Sequence, residues 1–169
     1  MTRLQKIHKK AKADAFAYGT SKSVYSYPDG KPKQSYKADL KLAYPHRNDW
    51  ATKQRAAGAA CDVFVGTVVR SSGADKDFPS AITKIQDYCK KHPKRWKKLD
   101  ITEEDKMMSG DIIYQYFTNG KKHVSIYLGE GKVANAHRVL KTYAVIELYS
   151  KVIKPKEDCT RFWVYRVKG

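Results

Sequence analysis

The strongest constraint on the fold is a change of hydrophobic period in the middle of the chain. From residue 111 to residue 167, apolar and polar residues alternate in short segments, whereas the earlier half repeats apolar residues at three- and four-residue steps. Period two predicts half-buried strands, and the longer period predicts amphipathic helices. Helices followed by a series of strands are typical of an α+β domain. We therefore predict an α+β fold with N-terminal helices packed on a five- to six-stranded antiparallel sheet.

Three helices and five strands are predicted. The helices are residues 2–18, 61–70 and 80–91, with Ser80 as the N-cap of the third. The strands are residues 111–117, 123–128, 132–138, 142–149 and 161–167. Residues 20–57 carry three prolines and no clear periodicity, so we expect a long irregular loop there.

The length of 169 residues suits one compact domain. We divide it into an N-terminal helix and long loop at 1–60, two helices at 61–100, and the sheet at 108–169. Three cysteines, Cys61, Cys89 and Cys159, form no metal-type pair. We therefore expect neither a metal nor a disulfide framework, and we favour unpaired thiols at Cys89 and Cys159.

Cys61 is the candidate nucleophile. It follows a run of small residues and begins a predicted helix, where unpaired backbone N–H groups favour a thiolate and can bind an oxyanion. Most free cysteines are simply small core residues, so the assignment depends on a base close to the thiol.

His123 is the candidate base, because it begins a predicted strand that would hold its imidazole rigidly. Asn135 and His137 share one face of the next predicted strand. A three-residue turn over 129–131 pairs residue 128 with residue 132, which puts His123 opposite His137 and diagonal to Asn135. Either residue can then accept the second imidazole proton. A two-residue turn would break this geometry.

Taken in order, these segments resemble the NlpC family of papain-like cell-wall endopeptidases. The similar stretches are KADAFAYGTSKSVYSYPDG, AACDVFVGTVVRSSG, WKKLDITEEDKMMSGDIIYQYF, the histidine hairpin HVSIYLGEGKVANAH and the closing RFWVYRV. The resemblance implies a papain-like core that works without a cofactor. It implies Cys61 as nucleophile, His123 as base and Asn135 as the residue that orients His123, with His137 as the competitor for that role.

Two further positions follow from the resemblance as substrate or oxyanion contacts. Tyr25, with Tyr27 as its alternative, falls where family members carry a tyrosine near the active site, although the stretch from Tyr25 to Cys61 is longer than the family pattern. Asp62 stands where the family often has serine. The third catalytic position is commonly histidine in the family, and Asn135 occupies it here.

The activity that the resemblance implies is hydrolysis of peptide bonds in the stem peptides of bacterial peptidoglycan, as in a phage lysin or a similar lytic enzyme. Two alternatives stay open on the same fold. One is an N-acetylmuramoyl-L-alanine amidase of the related CHAP type, which has the same order of cysteine and histidine. The other is an inactive relative that binds wall or protein partners.

The net charge of +17 predicts polyanionic partners. We expect a monomer that binds peptidoglycan peptides and anionic wall polymers. We rank a nucleic-acid-binding module lower: lysine clusters at 6–12 and 90–98 accompany Trp96, but no named nucleic-acid motif is present. We expect no membrane span and action at the wall or outside the cell, by a chain made without a leader or one whose leader was removed.

Overall fold

A computed structural model of the protein describes residues 1–17, 33–46, 60–101, 103–136, 145–153 and 159–169. These ranges combine α-helices with a six-stranded antiparallel sheet, which confirms the predicted α+β class. The helices are α1 (Arg3–Asp14), α2 (Gln34–Ala43), α3 (Cys61–Ser71), α4 (Ile82–Lys91) and α5 (Tyr149–Val152). The strands are β1 (Trp96–Leu99), β2 (Ile112–Phe117), β3 (Lys122–Gly129), β4 (Lys132–Asn135), β5 (Val145–Leu148) and β6 (Cys159–Val167).

The strands lie in the order β1-β6-β2-β3-β4-β5, and every neighbouring pair is antiparallel. The edge strand β1 was not predicted. Its two central residues are the exposed Lys97 and Lys98, which conceal the apolar pattern of the buried Trp96 and the half-buried Leu99. Lysines on an edge strand also oppose pairing with a second sheet.

Alternation along the strands separates the core into two faces. On one face, Ile112 and Ile126 pack with residues of α1 and α3, such as Ile7 and Phe64. On the other face, a smaller cluster contains Met107, Ile113, Tyr127, Val133, Ile153 and Val164. The larger cluster holds α3, and therefore Cys61 at its beginning, against the sheet.

The first helix is shorter than predicted. Thr2 caps α1 through a capping box with Gln5, and the helix ends at Asp14 rather than at residue 18. The backbone becomes extended at Ala15, because the Phe16 carbonyl accepts a hydrogen bond from the Ile146 amide of β5, 2.8 Å away. Backbone pairing with the sheet thus outweighs the helical pattern.

The prediction of a continuous irregular loop over 20–57 is wrong for residues 34–43, which form α2. Tyr36, Leu40 and Ala43 are buried at helical spacing and pack in the main cluster. The Tyr44 hydroxyl lies where a side chain at Gly66 of α3 would stand, so the absent side chain lets the end of α2 approach α3 closely. The rest of the predicted loop, at 20–32 and 47–57, lies outside the described residues.

The predicted helix at 61–70 is confirmed as α3, and the one at 80–91 as α4 with a later start. The prediction of Ser80 as the N-cap of this helix was wrong, because the N-cap is Ala81. Helix α4 begins at Ile82, whose backbone N–H donates to a carboxylate oxygen of Asp62 at 2.9 Å. A side chain from the neighbouring helix therefore does the work expected of a local cap.

Candidate active site

The β3–β4 hairpin determines which residues lie beside His123. Ile126 pairs with Ala134 and Tyr127 with Val133, as predicted, but Gly129 rather than residue 128 pairs with Lys132. The turn therefore has two residues, Glu130 and Gly131, both at positive φ. A register shift between Tyr127 and Gly129 restores the predicted pairing farther along the strands. The expectation that a two-residue turn would break the geometry was wrong, because it did not allow for a bulge.

His123 and Asn135 are brought together by this register. Asn135 lies diagonally across from His123 on the neighbouring strand, and the distance from His123 Nε2 to Asn135 Oδ1 is 2.8 Å. The Asn135 side chain is fully buried at 0% exposure, whereas His123 is half-buried. The imidazole therefore has one nitrogen held by a buried amide in a rigid sheet.

A third residue, Glu147 on β5, continues this arrangement and was missed by the sequence analysis. Asn135 Nδ2 donates to Glu147 Oε1 at 2.9 Å, and Glu147 is 1% exposed. Glu147 pairs with Val133 and lies diagonal to Asn135, so the chain His123, Asn135, Glu147 crosses three strands by two diagonal steps. The signal in the sequence was a lone acid within the apolar segment VIEL, because an unpaired buried carboxylate is costly.

Cys61 is the first residue of α3, and its side chain packs against the main cluster. Burial raises the pKa of the Cys61 thiol from 9.0 to about 11. A hydrogen bond with the backbone of Val124 acts in the opposite direction, and the Asp62 charge adds to the rise. Burial thus opposes the expectation that the start of the helix favours a thiolate at Cys61. The Val124 contact sets the sulfur beside the residue that follows His123.

Two residues near Cys61, Asp62 and Tyr114, hydrogen-bond to the start of α4. Asp62 accepts hydrogen bonds from the backbone N–H groups of Val63 at 2.8 Å and Ile82 at 2.9 Å. The buried Tyr114 hydroxyl donates to the Ile82 carbonyl at 3.4 Å. Burial, with contributions from Tyr165 and Cys61, raises the pKa of Tyr114 to about 12, so this hydroxyl remains a donor. In this structure the Asp62 carboxylate joins the beginnings of α3 and α4, and its predicted substrate contact stays a prediction.

Three other candidates cannot be compared with the structure. Tyr25, its alternative Tyr27, and His137 all lie outside the described residues. Their predicted roles stay predictions. All three cysteines are free thiols, with Cys89 buried and Cys159 half-buried. Among the residues that the structure describes, no group of three or more His, Cys, Asp or Glu could hold a metal ion.

The lysine-rich segment 90–98 borders a cavity of about 490 Å³ at the C-terminal end of α4. The cavity is lined by Arg3, Asp75, Asp77, Tyr88, Lys91, His92, Pro93, Lys94 and Arg95. Trp96 is 2% exposed, and its indole N–H donates to the buried Asp75 at 2.8 Å. The segment therefore presents cations at the surface, while its tryptophan is not available for stacking on a base.

No protein-family model matches this chain, and no curated protein matches it. Within the described ranges, no helix is long and apolar enough to cross a membrane.

Proposed function

We propose that this chain is a hydrolase that uses Cys61 as nucleophile, His123 as base and Asn135 as the residue that orients the base. The observation that carries the proposal is the 2.8 Å hydrogen bond between His123 and the buried Asn135. It lies on the strand whose Val124 backbone contacts the thiol at the beginning of α3. A thiol, an imidazole and a buried orienting amide are the groups required for nucleophilic acyl transfer.

The chemistry follows from the state of each group. The thiol pKa of about 11 means that Cys61 rests as a neutral thiol near pH 7. His123 removes this proton as the sulfur attacks a carbonyl carbon. The acyl-enzyme then forms as the amine leaves with the proton from the imidazole. Water attacks the thioester with His123 again as base, the C–S bond breaks to release the carboxylic acid, and Cys61 regains the proton from His123. Backbone N–H groups at the start of α3 are the donors for the oxyanion.

Within this class, we propose the papain-like fold of the NlpC family and peptidoglycan stem peptides as the substrate. The support is the resemblance in sequence, the α+β fold with a helix that begins at the cysteine, and the net charge of +17. The basic cavity supports anionic wall polymers as a second contact. It lies at the far end of α4 from Asp62, about 15 Å along the helix, so a bound polymer would leave Cys61 accessible.

The test is release of new amino groups from purified peptidoglycan. We expect Cys61→Ala and His123→Ala each to abolish it, while the matched control Cys159→Ala, which removes a thiol outside both core clusters, retains it. Circular dichroism establishes that each variant is folded. Full activity in Cys61→Ala would refute the mechanism. Mass spectrometry of the fragments separates cleavage within the stem peptide from cleavage at the sugar–peptide amide, which the CHAP-type alternative predicts.

The raised thiol pKa favours a second candidate, an inactive relative that binds wall partners. Alkylation with iodoacetamide, followed at Cys61 by peptide mass spectrometry, distinguishes the two. The hydrolase requires His123→Ala to slow alkylation at neutral pH by about tenfold or more, since the imidazole would no longer take the proton. Equal alkylation rates of Cys61 in the wild type and in His123→Ala would favour the inactive relative that binds wall partners.

A further inference from the structure

The hydrogen bonds behind His123 have a fixed direction. Asn135 lies between two partners, with its Nδ2 at 2.9 Å from Glu147 and its Oδ1 at 2.8 Å from His123. Both Asn135 and Glu147 are buried, so water does not offer substitute partners. An amide that turns over would exchange its donor and its acceptor, and the two neighbours decide which orientation is satisfied.

A carboxylate only accepts hydrogen bonds, so Glu147 requires the N–H₂ side of Asn135 to face it. The amide oxygen then faces His123 and likewise only accepts. Therefore His123 Nε2 must carry a hydrogen, and the lone pair of the neutral ring is on Nδ1. The direction of each bond thus follows from the carboxylate at the far end.

We propose that Glu147 is a positioning residue that sets the tautomer of His123 through Asn135. Its catalytic consequence rests on the proposed function, because the lone pair on Nδ1 is the one that takes the Cys61 proton. The assignment of the tautomer does not rest on the proposed function, because His123 has a defined tautomer whether or not the protein is a hydrolase. In this scheme Glu147 acts on His123 through the Asn135 amide.

Exchange of carboxylate and amide provides the test. In Glu147→Gln, the residue at 147 can donate as well as accept, so Asn135 is no longer held in one orientation. In the double variant Asn135→Asp with Glu147→Gln, the amide at 147 donates to a carboxylate at 135, whose other oxygen accepts from His123. The double variant restores the direction of the bond at His123 with almost no change in volume.

The measurement is the tautomer of His123, read from long-range ¹H–¹⁵N correlations of the ¹⁵N-labelled protein near neutral pH and assigned with His123→Gln. We expect the Nε2–H form in the wild type, a mixture with the Nδ1–H form in Glu147→Gln, and return to Nε2–H in the double variant. For peptidoglycan hydrolysis we expect Glu147→Gln to lower kcat by about 10- to 100-fold with little change in KM, and the double variant to regain most of it.

Two results would overturn the proposal: a pure Nε2–H tautomer in Glu147→Gln, or the Nδ1–H form in the double variant. The second result decides the matter even where Glu147→Gln does not fold. A structural role alone would change stability and leave the tautomer unaltered. If the tautomers respond as expected and the wild type releases no amino groups, the proposed function fails while this inference stands.

Discussion

Two buried carboxyl groups lie between α1 and α2, and they make stability depend on pH in a defined direction. Asp14 at the end of α1 is 1% exposed, and Asp39 of α2 is buried with Lys10 Nζ 3.1 Å from its carboxylate. Burial, followed by the neighbouring Asp39, raises the pKa of Asp14 from 3.8 to about 8. The folded protein therefore keeps a proton on Asp14 at neutral pH, where the unfolded chain has lost it.

A raised folded-state pKa means that the stabilisation is complete below the unfolded pKa and is lost as pH rises toward the folded pKa. The rise from 3.8 to about 8, at about 1.4 kcal/mol for each tenfold change in proton affinity, corresponds to roughly 6 kcal/mol. Local opening of α1 from α2 would let water reach Asp14 and would limit this penalty. We therefore expect the contribution of Asp14 to the free energy of unfolding to fall by about 2 to 4 kcal/mol between about pH 4 and about pH 8.

Asp14→Asn removes the titration and, like the protonated carboxyl, places no charge beside Asp39. We expect the free energy of unfolding, measured by urea denaturation, to match the wild type near pH 5 and to exceed it by about 2 kcal/mol or more near pH 9. Asp77→Asn makes the same change at an exposed position and should leave the pH dependence unaltered. Parallel curves for wild type and Asp14→Asn across the range would refute the argument.

Other expectations concern the site and the basic cavity. Asn135→Ala should lower peptidoglycan hydrolysis by about 10- to 1,000-fold, less than loss of Cys61 or His123, because it removes an orienting group. In the His123→Ala variant, the raised pKa predicts that Cys61 alkylation climbs about tenfold per pH unit toward pH 11, and a plateau near pH 8 would contradict the burial argument. Lys91→Glu with Lys94→Glu should weaken sedimentation of the protein with cell walls at low salt while hydrolysis of soluble stem peptides is unchanged; equal sedimentation would exclude the cavity as a wall contact.

The predicted elements agree with the structure where one face of each is clearly apolar. Helix α3 and strands β2 and β3 have uninterrupted patterns, and their predicted ranges are close to those observed. The pattern failed at α2, where a short helix lies among prolines, and at β1, where lysines occupy the centre of an edge strand. It also failed at the end of α1, because pairing of Phe16 with Ile146 is a contact between distant segments.

The sequence predicted those parts of the candidate site that depend on the pairing of two strands joined by a short turn. The placement of Asn135 beside His123 followed from alternation across one hairpin, although the turn itself was wrong by one residue. Glu147 was not predictable in this way. Its position depends on the register of β4 with β5, and the connection between those strands contains no turn signal that fixes that register from the sequence.

The energies that act on the Cys61 thiolate show why, in the proposed mechanism, the residues that orient His123 matter. The field of a helix N-terminus is worth about 0.3 to 1 kcal/mol for an anion, and up to about 2 kcal/mol where it is partly buried. The rise of the thiol pKa from 9.0 to about 11 corresponds to about 3 kcal/mol against the thiolate. Desolvation is therefore the larger effect, and the position at the start of α3 does not by itself ionise the sulfur. In the proposed mechanism His123 must therefore remove the proton, so the nitrogen that carries its lone pair is decisive, and we propose that Glu147 determines which nitrogen that is.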